Sequence, residues 1–556
     1  MSGPLEGAIA ARLEEWAAER VAERLWERDG SLWAESGHAP ADVAAWLGWL
    51  DLPDAMGQRV GEIRNLVAGV ARDGYRRAAV LGMGGSSLAP ELCALLFDGA
   101  AELRVCDSTH PDAVRGFRSW ATAARSLLCV SSKSGTTSET LAFHASLADV
   151  VPALDFVAIT DPDTPLAELA RAQEFRAIVE GEPSVGGRFS ALSVFGLIPA
   201  ALRGADVETM LDEARAMAAA CRRPPSDNPG LRLGAALGEA ALAGRDKLTL
   251  LTTPRLASLG DWVEQLIAES TGKAGRGVVP VVGEPLASAQ HYGADRCFVV
   301  TTLAGEPASG QLEQMAAELR DAGHPVHELT LGRPEAVGAE FVRWEVATAA
   351  LGILLGVNPF DQPDVAEAKA ATEALLAEYR RDGALRTPMS IVAETGLAAW
   401  ADPAALGDAP PTVAAAVRSL LTTLTEGDYF AILAYLPPDP SVKAALERIR
   451  ASVRDALGAA TTAGIGPRYL HSTGQLHKGG PATGVYLMLT ADPARDLPIP
   501  GRAESFGTLI AAQAAGDLAA LQRRGRRILR LHAADAEAGL ARVTHLVDEA
   551  LGSRVA

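Results

Sequence analysis

Lysine is scarce in this chain. Of 51 basic residues only six are lysines: Lys133, Lys247, Lys273, Lys369, Lys443 and Lys478. Where arginine is the general-purpose cation, a retained lysine points to a need for a compact, titratable ammonium. Cysteine is sparse too, and odd in number: Cys93, Cys106, Cys129, Cys221 and Cys297. None forms a C-x-x-C pair, so neither a disulfide framework nor a zinc site is indicated, and no metal is expected. Positive charge is short overall. The 51 basic and 69 acidic residues give a net charge of −18, which argues against a nucleic-acid or anionic-membrane partner. No apolar run approaches a membrane span, and the acidic, amphipathic N-terminus lacks the apolar segment of a signal peptide. The cytoplasm is the default compartment.

The chain has 556 residues, too many for one core, so two or three domains are expected. Residues 1–75 read as helices, with a Trp- and Leu-rich segment, Trp46-Leu-Gly-Trp-Leu50, as part of a cap. Short apolar runs then alternate with helical patterns. Arg77–Leu81, Leu103–Cys106, Ser126–Val130 and Phe156–Thr160 read as strands of a first parallel, doubly wound sheet. Lys247–Leu251, Val278–Val282, Cys297–Thr302 and Val326–Thr330 read as a second. Arg222-Arg-Pro-Pro-Ser226 is the linker between them. Phe430–Leu436, Ala460–Gly464, Gly484–Thr490 and Ile528–His532, interleaved with two helices, suit a small ferredoxin-like α+β sandwich. The expected division is a helical cap over 1–60, α/β domains over 61–222 and 223–382, and an α+β domain over 383–556.

Two strand–helix junctions look like anion cradles. Ser131-Ser132-Lys133-Ser134-Gly135-Thr136-Thr137-Ser138 follows a strand and opens a helix, where unpaired first-turn N–H groups and the helix dipole favour negative charge. Its hydroxyls and Lys133 are more than an N-cap needs, so a phosphate is expected there. Gly82-Met-Gly-Gly85-Ser86 is a second, weaker case. Its spacing is not the dinucleotide fingerprint. Gly187-Arg188 fits a guanidinium held beside a small ligand. Asp261, Gln265 and Glu269 share one helix face, and Glu269 in the last turn should have a raised pKa because the dipole there disfavours a carboxylate. That suits a general base near neutrality. His291 lies in a loop after a strand, and Gln362 precedes a helix carrying Lys369.

Taken together, these motifs resemble the phosphoglucose isomerase family, built of two sugar-isomerase (SIS) domains. The resemblance rests on Gly82–Ser86, Ser132–Thr137, Gly187-Arg188, Gln265-x-x-x-Glu269-Ser-Thr-Gly-Lys273, Gly283-Glu-Pro through His291, and Gln362 through Lys369. It implies an aldose–ketose isomerase acting on glucose 6-phosphate and fructose 6-phosphate without a cofactor. Glu269 would be the base, Arg188 the stabilising cation, and His291 with Lys369 the ring-opening pair. Gly85, Ser86, Ser132, Lys133, Ser134, Thr137, Gly187, Gln265 and Gln362 would bind substrate. It further implies a homodimer in which His291 enters the partner's site. Ser134-Gly135 and Thr271 depart from the family pattern, which keeps mannose 6-phosphate isomerisation open as an alternative. A non-catalytic sugar-phosphate sensor is the other. The last 170 or so residues resemble the isomerase half of transaldolase–phosphoglucose isomerase fusion proteins, most clearly at Tyr469–Pro481. No transaldolase activity is expected. The polar loop His471–Pro481, with Gln475, His477 and Lys478, packs either near the sugar or purely at a domain interface.

Overall fold

The computed structural model describes residues 4–99, 101–385, 390–394, 396–400 and 412–555. Among these, fifteen strands form three sheets. The first holds β1 (Arg77–Leu81), β2 (Glu102–Cys106), β3 (Ser126–Ser131), β4 (Phe156–Thr160) and β5 (Ala177–Glu180) in the order β2-β1-β3-β4-β5. Every pairing in it is parallel. The second holds β6 (Lys247–Thr252), β7 (Val279–Val282), β8 (Arg296–Leu303) and β9 (Val326–Leu331) in the order β7-β6-β8-β9, again all parallel. Strands buried on both faces read as continuous apolar runs rather than alternating ones, and every residue of β3, β4 and β8 is buried. In each sheet the chain turns back after its first strand, so the crevice opens at the carboxyl ends of β1 and β3 in one, and of β6 and β8 in the other.

The third sheet departs from the expected sandwich. It comprises β10 (Val392–Glu394), β11 (Leu397–Trp400), β12 (Tyr429–Tyr435), β13 (Ala460–Ile465), β14 (Gly484–Ala491) and β15 (Arg527–Ala533), ordered β10-β11-β15-β14-β12-β13. β12 through β15 are mutually parallel, and the antiparallel pairings are those of the short edge hairpin, β10 with β11 and β11 with β15. A ferredoxin-like unit would need antiparallel neighbours and a tight link from β13 to β14. Residues 466–483 instead carry a 3₁₀ turn, Arg468–His471, and a helix, Gly474–Gly479, which gives the length for a crossover. The C-terminal unit is thus a third doubly wound layer. Its four parallel strands follow the same order, second-first-third-fourth, as the other two sheets.

The predicted strands fall where expected. Three short ones, β5, β10 and β11, went unpredicted, being four residues or fewer. The N-terminal segment is helical as read, with Pro4–Ala18, Val21–Trp26 and Leu52–Arg72 its main helices. No described helix is long and apolar enough to cross a membrane. The second and third units share one core: Val279 and Val281 of β7 pack with Tyr429, Ala431 and Leu433 of β12 and with Leu476 from the crossover. Burying a valine or leucine side chain in this way contributes roughly 1.5–3 kcal/mol over exposure.

Candidate active site

Three turns and one helix meet at the first crevice. The turn Gly84–Ser86 after β1 lies against Gly187-Arg188 so closely that a Cβ on Gly85 would sit 2.0 Å from the Gly187 carbonyl oxygen. Only glycine permits that approach. Ser86 is buried in the same turn. Arg188 is 3% exposed, and its guanidinium is held on all sides. Nε donates to Ser270 Oγ at 2.8 Å and Nη1 to Gln362 Oε1 at 2.8 Å. Nη2 donates to the carbonyls of Pro359 (2.6 Å) and Asp361 (2.9 Å). The N-terminal cap braces this turn from behind, with Trp49 stacked on Phe189 at 5.4 Å.

Glu269 sits 3.5 Å from Arg188 Nη1 near the end of helix Ala257–Thr271. Gln265, one turn earlier on the same face, donates from Nε2 to Glu269 Oε2 at 3.1 Å. The carboxyl pKa is raised as the sequence suggests, with a different cause. Burial pushes it up, while Arg188 foremost, then His471 and Gln265, pull it back. Asp261 leaves this group and lies 3.8 Å from Arg468. Lys273 is buried and bound to Asn358 O and to Asp361, at 2.6 Å from its Oδ1. Burial, joined by the charge of Arg188, lowers its pKa to about 7. Thr271 has a spent hydroxyl: it donates to Ile267 O and accepts from Val278 N.

In the second cradle the hydroxyls bond to one another. Ser132 Oγ and Thr137 Oγ1 lie 2.8 Å apart, and Ser134 Oγ and Thr136 Oγ1 2.9 Å apart. Thr137 is the residue before helix Ser138–Leu147, yet its side chain makes no capping bond. These hydroxyls therefore are not engaged as an N-cap. Lys133 directs its ammonium to Asp161 and to Glu182 O. A cation that the sequence did not suggest stands at the helix start: Arg502 donates to Ser138 Oγ at 2.9 Å and to its carbonyl at 3.1 Å.

The C-terminal unit closes the site. A cavity of about 110 Å³ is lined by Thr137, Glu139, Lys369, His471 and Gln513, among others. His471 Nε2 is 3.1 Å from Glu139 Oε1, and Gln513 donates to the same oxygen at 2.8 Å. Gln265 Nε2 also reaches the His471 carbonyl, at 2.8 Å. Lys478, from the same loop, also lines this cavity. Gln475 binds Gly272 O and Asp364, and Lys478 makes a buried ion pair with Asp517 at 2.5 Å. The structure thus gathers Glu269, Arg188, Gln265, Gln362, Gly85, Ser86 and Gly187, and places Lys369 by the cavity. It does not bring His291 to Glu269 within the chain. That ring bonds to Ser288 Oγ at 2.9 Å on the turn after β7.

The probable glucose-6-phosphate isomerase of Haloarcula marismortui is 32% identical over 53% of this chain and 77% of its own length. The chain belongs to the glucose-6-phosphate isomerase family. The glucose-6-phosphate isomerase of Rubrobacter xylanophilus is 29% identical over 55% of this chain and 83% of its own. No model of a known protein family matches the chain. Among solved structures, hypothetical protein TT0462 from Thermus thermophilus aligns over 66% of this chain and 98% of its own, with 27% identity and a TM-score of 0.55. A glucose-6-phosphate isomerase from Chlamydia trachomatis, 17% identical, shares the fold over 68% of this chain and 86% of its own, with a TM-score of 0.54.

Proposed function

We propose that this chain interconverts glucose 6-phosphate and fructose 6-phosphate, moving a proton between C1 and C2 through a cis-enediolate. The observation that carries the reading is the buried pair Glu269–Arg188, 3.5 Å apart beside two phosphate-type turns. One carboxylate can reach both carbons, and its raised pKa suits proton abstraction near neutrality. The enediolate oxygens carry developing charge, which a guanidinium already fixed by four acceptors stabilises without reorganising. Ser86, Ser132, Ser134, Thr137 and Arg502 suit the phosphate, the non-reacting end of the substrate. Its binding energy orients the sugar at Glu269. The family resemblance further implies a cytoplasmic homodimer, with His291 acting in the partner's site.

Fructose 6-phosphate turnover by the purified chain tests this, with mannose 6-phosphate assayed in parallel. Glu269→Gln should lower the rate about 10³-fold, within the range for a lost general base, while sugar phosphate still binds. Bound sugar phosphate with no turnover by the unaltered chain would defeat the isomerase reading in favour of a sensor.

A further inference from the structure

Before a proton can move between C1 and C2, the closed sugar must open, and this needs an acid–base group at the ring oxygen. His291 and His471 occupy matching places in two units of the same topology. His291 follows β7, the second strand of its sheet, and His471 follows β13, the second of the four parallel strands of the third sheet. Only one of them stands by the base in this chain. The carbonyl of His471 shares Gln265 Nε2 with Glu269, and its ring is oriented by Glu139. Its Nδ1 has no hydrogen-bond partner among the described residues, and the side chain is 31% exposed, beside the cavity.

The turn that carries His471 is fixed by charge. Arg468, three residues earlier, pairs with Glu91 and Asp107 of the first unit, the latter at 3.1 Å, and lies 3.8 Å from Asp261 of the second. The His291 loop is tied down elsewhere. Arg450 of helix Pro440–Leu457 donates to Gly283 O, and Glu284 Oε1 accepts from Thr461 N at 2.9 Å. The third unit thus holds one imidazole-bearing loop and supplies the other.

Building on the isomerase reading, we infer that His471, from the C-terminal unit of the same chain, is the acid–base residue that opens the sugar ring. His471 then takes the ring-opening role that the family resemblance gives to His291. The Nδ1–H of the imidazolium goes to the ring oxygen as the bond from that oxygen to the anomeric carbon breaks. The anomeric hydroxyl releases its proton to water, its oxygen becomes the carbonyl, and water returns a proton to Nδ1. Glu139 is a positioning residue that holds Nε2–H and favours the imidazolium. Glu269 and Lys369 are the other charged groups facing the ring. Burial draws the imidazole pKa down, the Glu139 and Glu269 carboxylates push it up, and the net shift is upward.

Anomer exchange of glucose 6-phosphate, followed by magnetisation transfer between the two anomeric protons, reads ring opening apart from isomerisation. Glu269→Gln should keep catalysed exchange. His471→Gln should lose it about 100-fold, and at least tenfold more than His291→Gln does, with fructose 6-phosphate binding kept within about threefold as the check on folding. Glu139→Gln should move the imidazole limb of the exchange pH profile to lower pH, which a purely structural contact would not do. Exchange abolished in His291→Gln and retained in His471→Gln would overturn the assignment, as would no exchange above the uncatalysed rate in the unaltered chain. A chain that exchanged anomers through His471 without isomerising would defeat the isomerase reading and leave the ring-opening role standing.

Discussion

The two ends of the site are built in opposite ways. At the enediolate end, the donors already have their partners: Arg188 has four acceptors, Lys273 has Asn358 and Asp361, and Gln265 Nε2 spans Glu269 and the His471 carbonyl, which leaves the buried Gln265 Oε1 unpaired. At the phosphate end, hydroxyls bond mainly to each other, and Ser134 is exposed. The first end is set before substrate arrives, as stabilising a transient charge requires. The second can exchange weak hydroxyl–hydroxyl bonds for stronger charge-assisted ones when a dianion binds. One end is built for rate and the other for capture.

The sharpest way to break this contrast is Arg188→Lys. A lysine keeps the charge and cannot match four acceptors in a planar fork, so kcat/KM should fall about 10²–10³-fold, mostly in kcat. A rise in KM alone would put Arg188 at the capture end. Next comes pH. Glu269 must be ionised to act, and burial raises its pKa, so activity should fall on acidification at a pH above the ordinary glutamate range. Arg188 holds that pKa down, so the acid limb should lie higher in Arg188→Gln than in Arg188→Lys. Coincident limbs would mean that Arg188 has no hold on the base. The double variant Ser132→Ala/Thr137→Ala should raise KM about tenfold with kcat changed less, and should weaken inhibition by inorganic phosphate in step. The smallest effect belongs to Lys133→Met. Its ammonium is already committed to Asp161, so KM should rise no more than about threefold. A thirtyfold rise would show that it grips the phosphate directly.

How legible the site was in the sequence depends on how local each part is. β3 and its cradle could be read because an apolar run breaking into Ser132, Ser134 and Thr137 is a pattern within a dozen residues. Gln265 and Glu269 share a helix face by spacing alone, and their 3.1 Å bond follows. The cause of the Glu269 shift could not be read, because burial depends on what packs over the helix. The contacts of His471 and Arg502 were hidden for a related reason. The two side chains reach Glu139 and Ser138 across more than 300 residues of chain; the polar loop that His471 opens stood out in the sequence, its partner did not, and nothing around Arg502 marks it. The third sheet misled because strand direction turns on whether residues 466–483 form a hairpin or a crossover. A Gly-rich stretch reads as a loop, whereas six of its residues form a helix.

That crossover helix bears on how the protein comes into being on the ribosome. Leu476 lies so near the end of the base helix that a Cβ on Gly272 would be 2.4 Å from its Cα. Glu269, Arg188 and the phosphate turns are all synthesised before it, and domains tend to fold as they emerge. Until residues 466–513 follow, Glu139 lacks both His471 and Gln513, and one face of the base helix stays bare. The working pocket is therefore among the last things this polypeptide acquires, and a chain stalled early would carry the base and the cradle with nothing to close them.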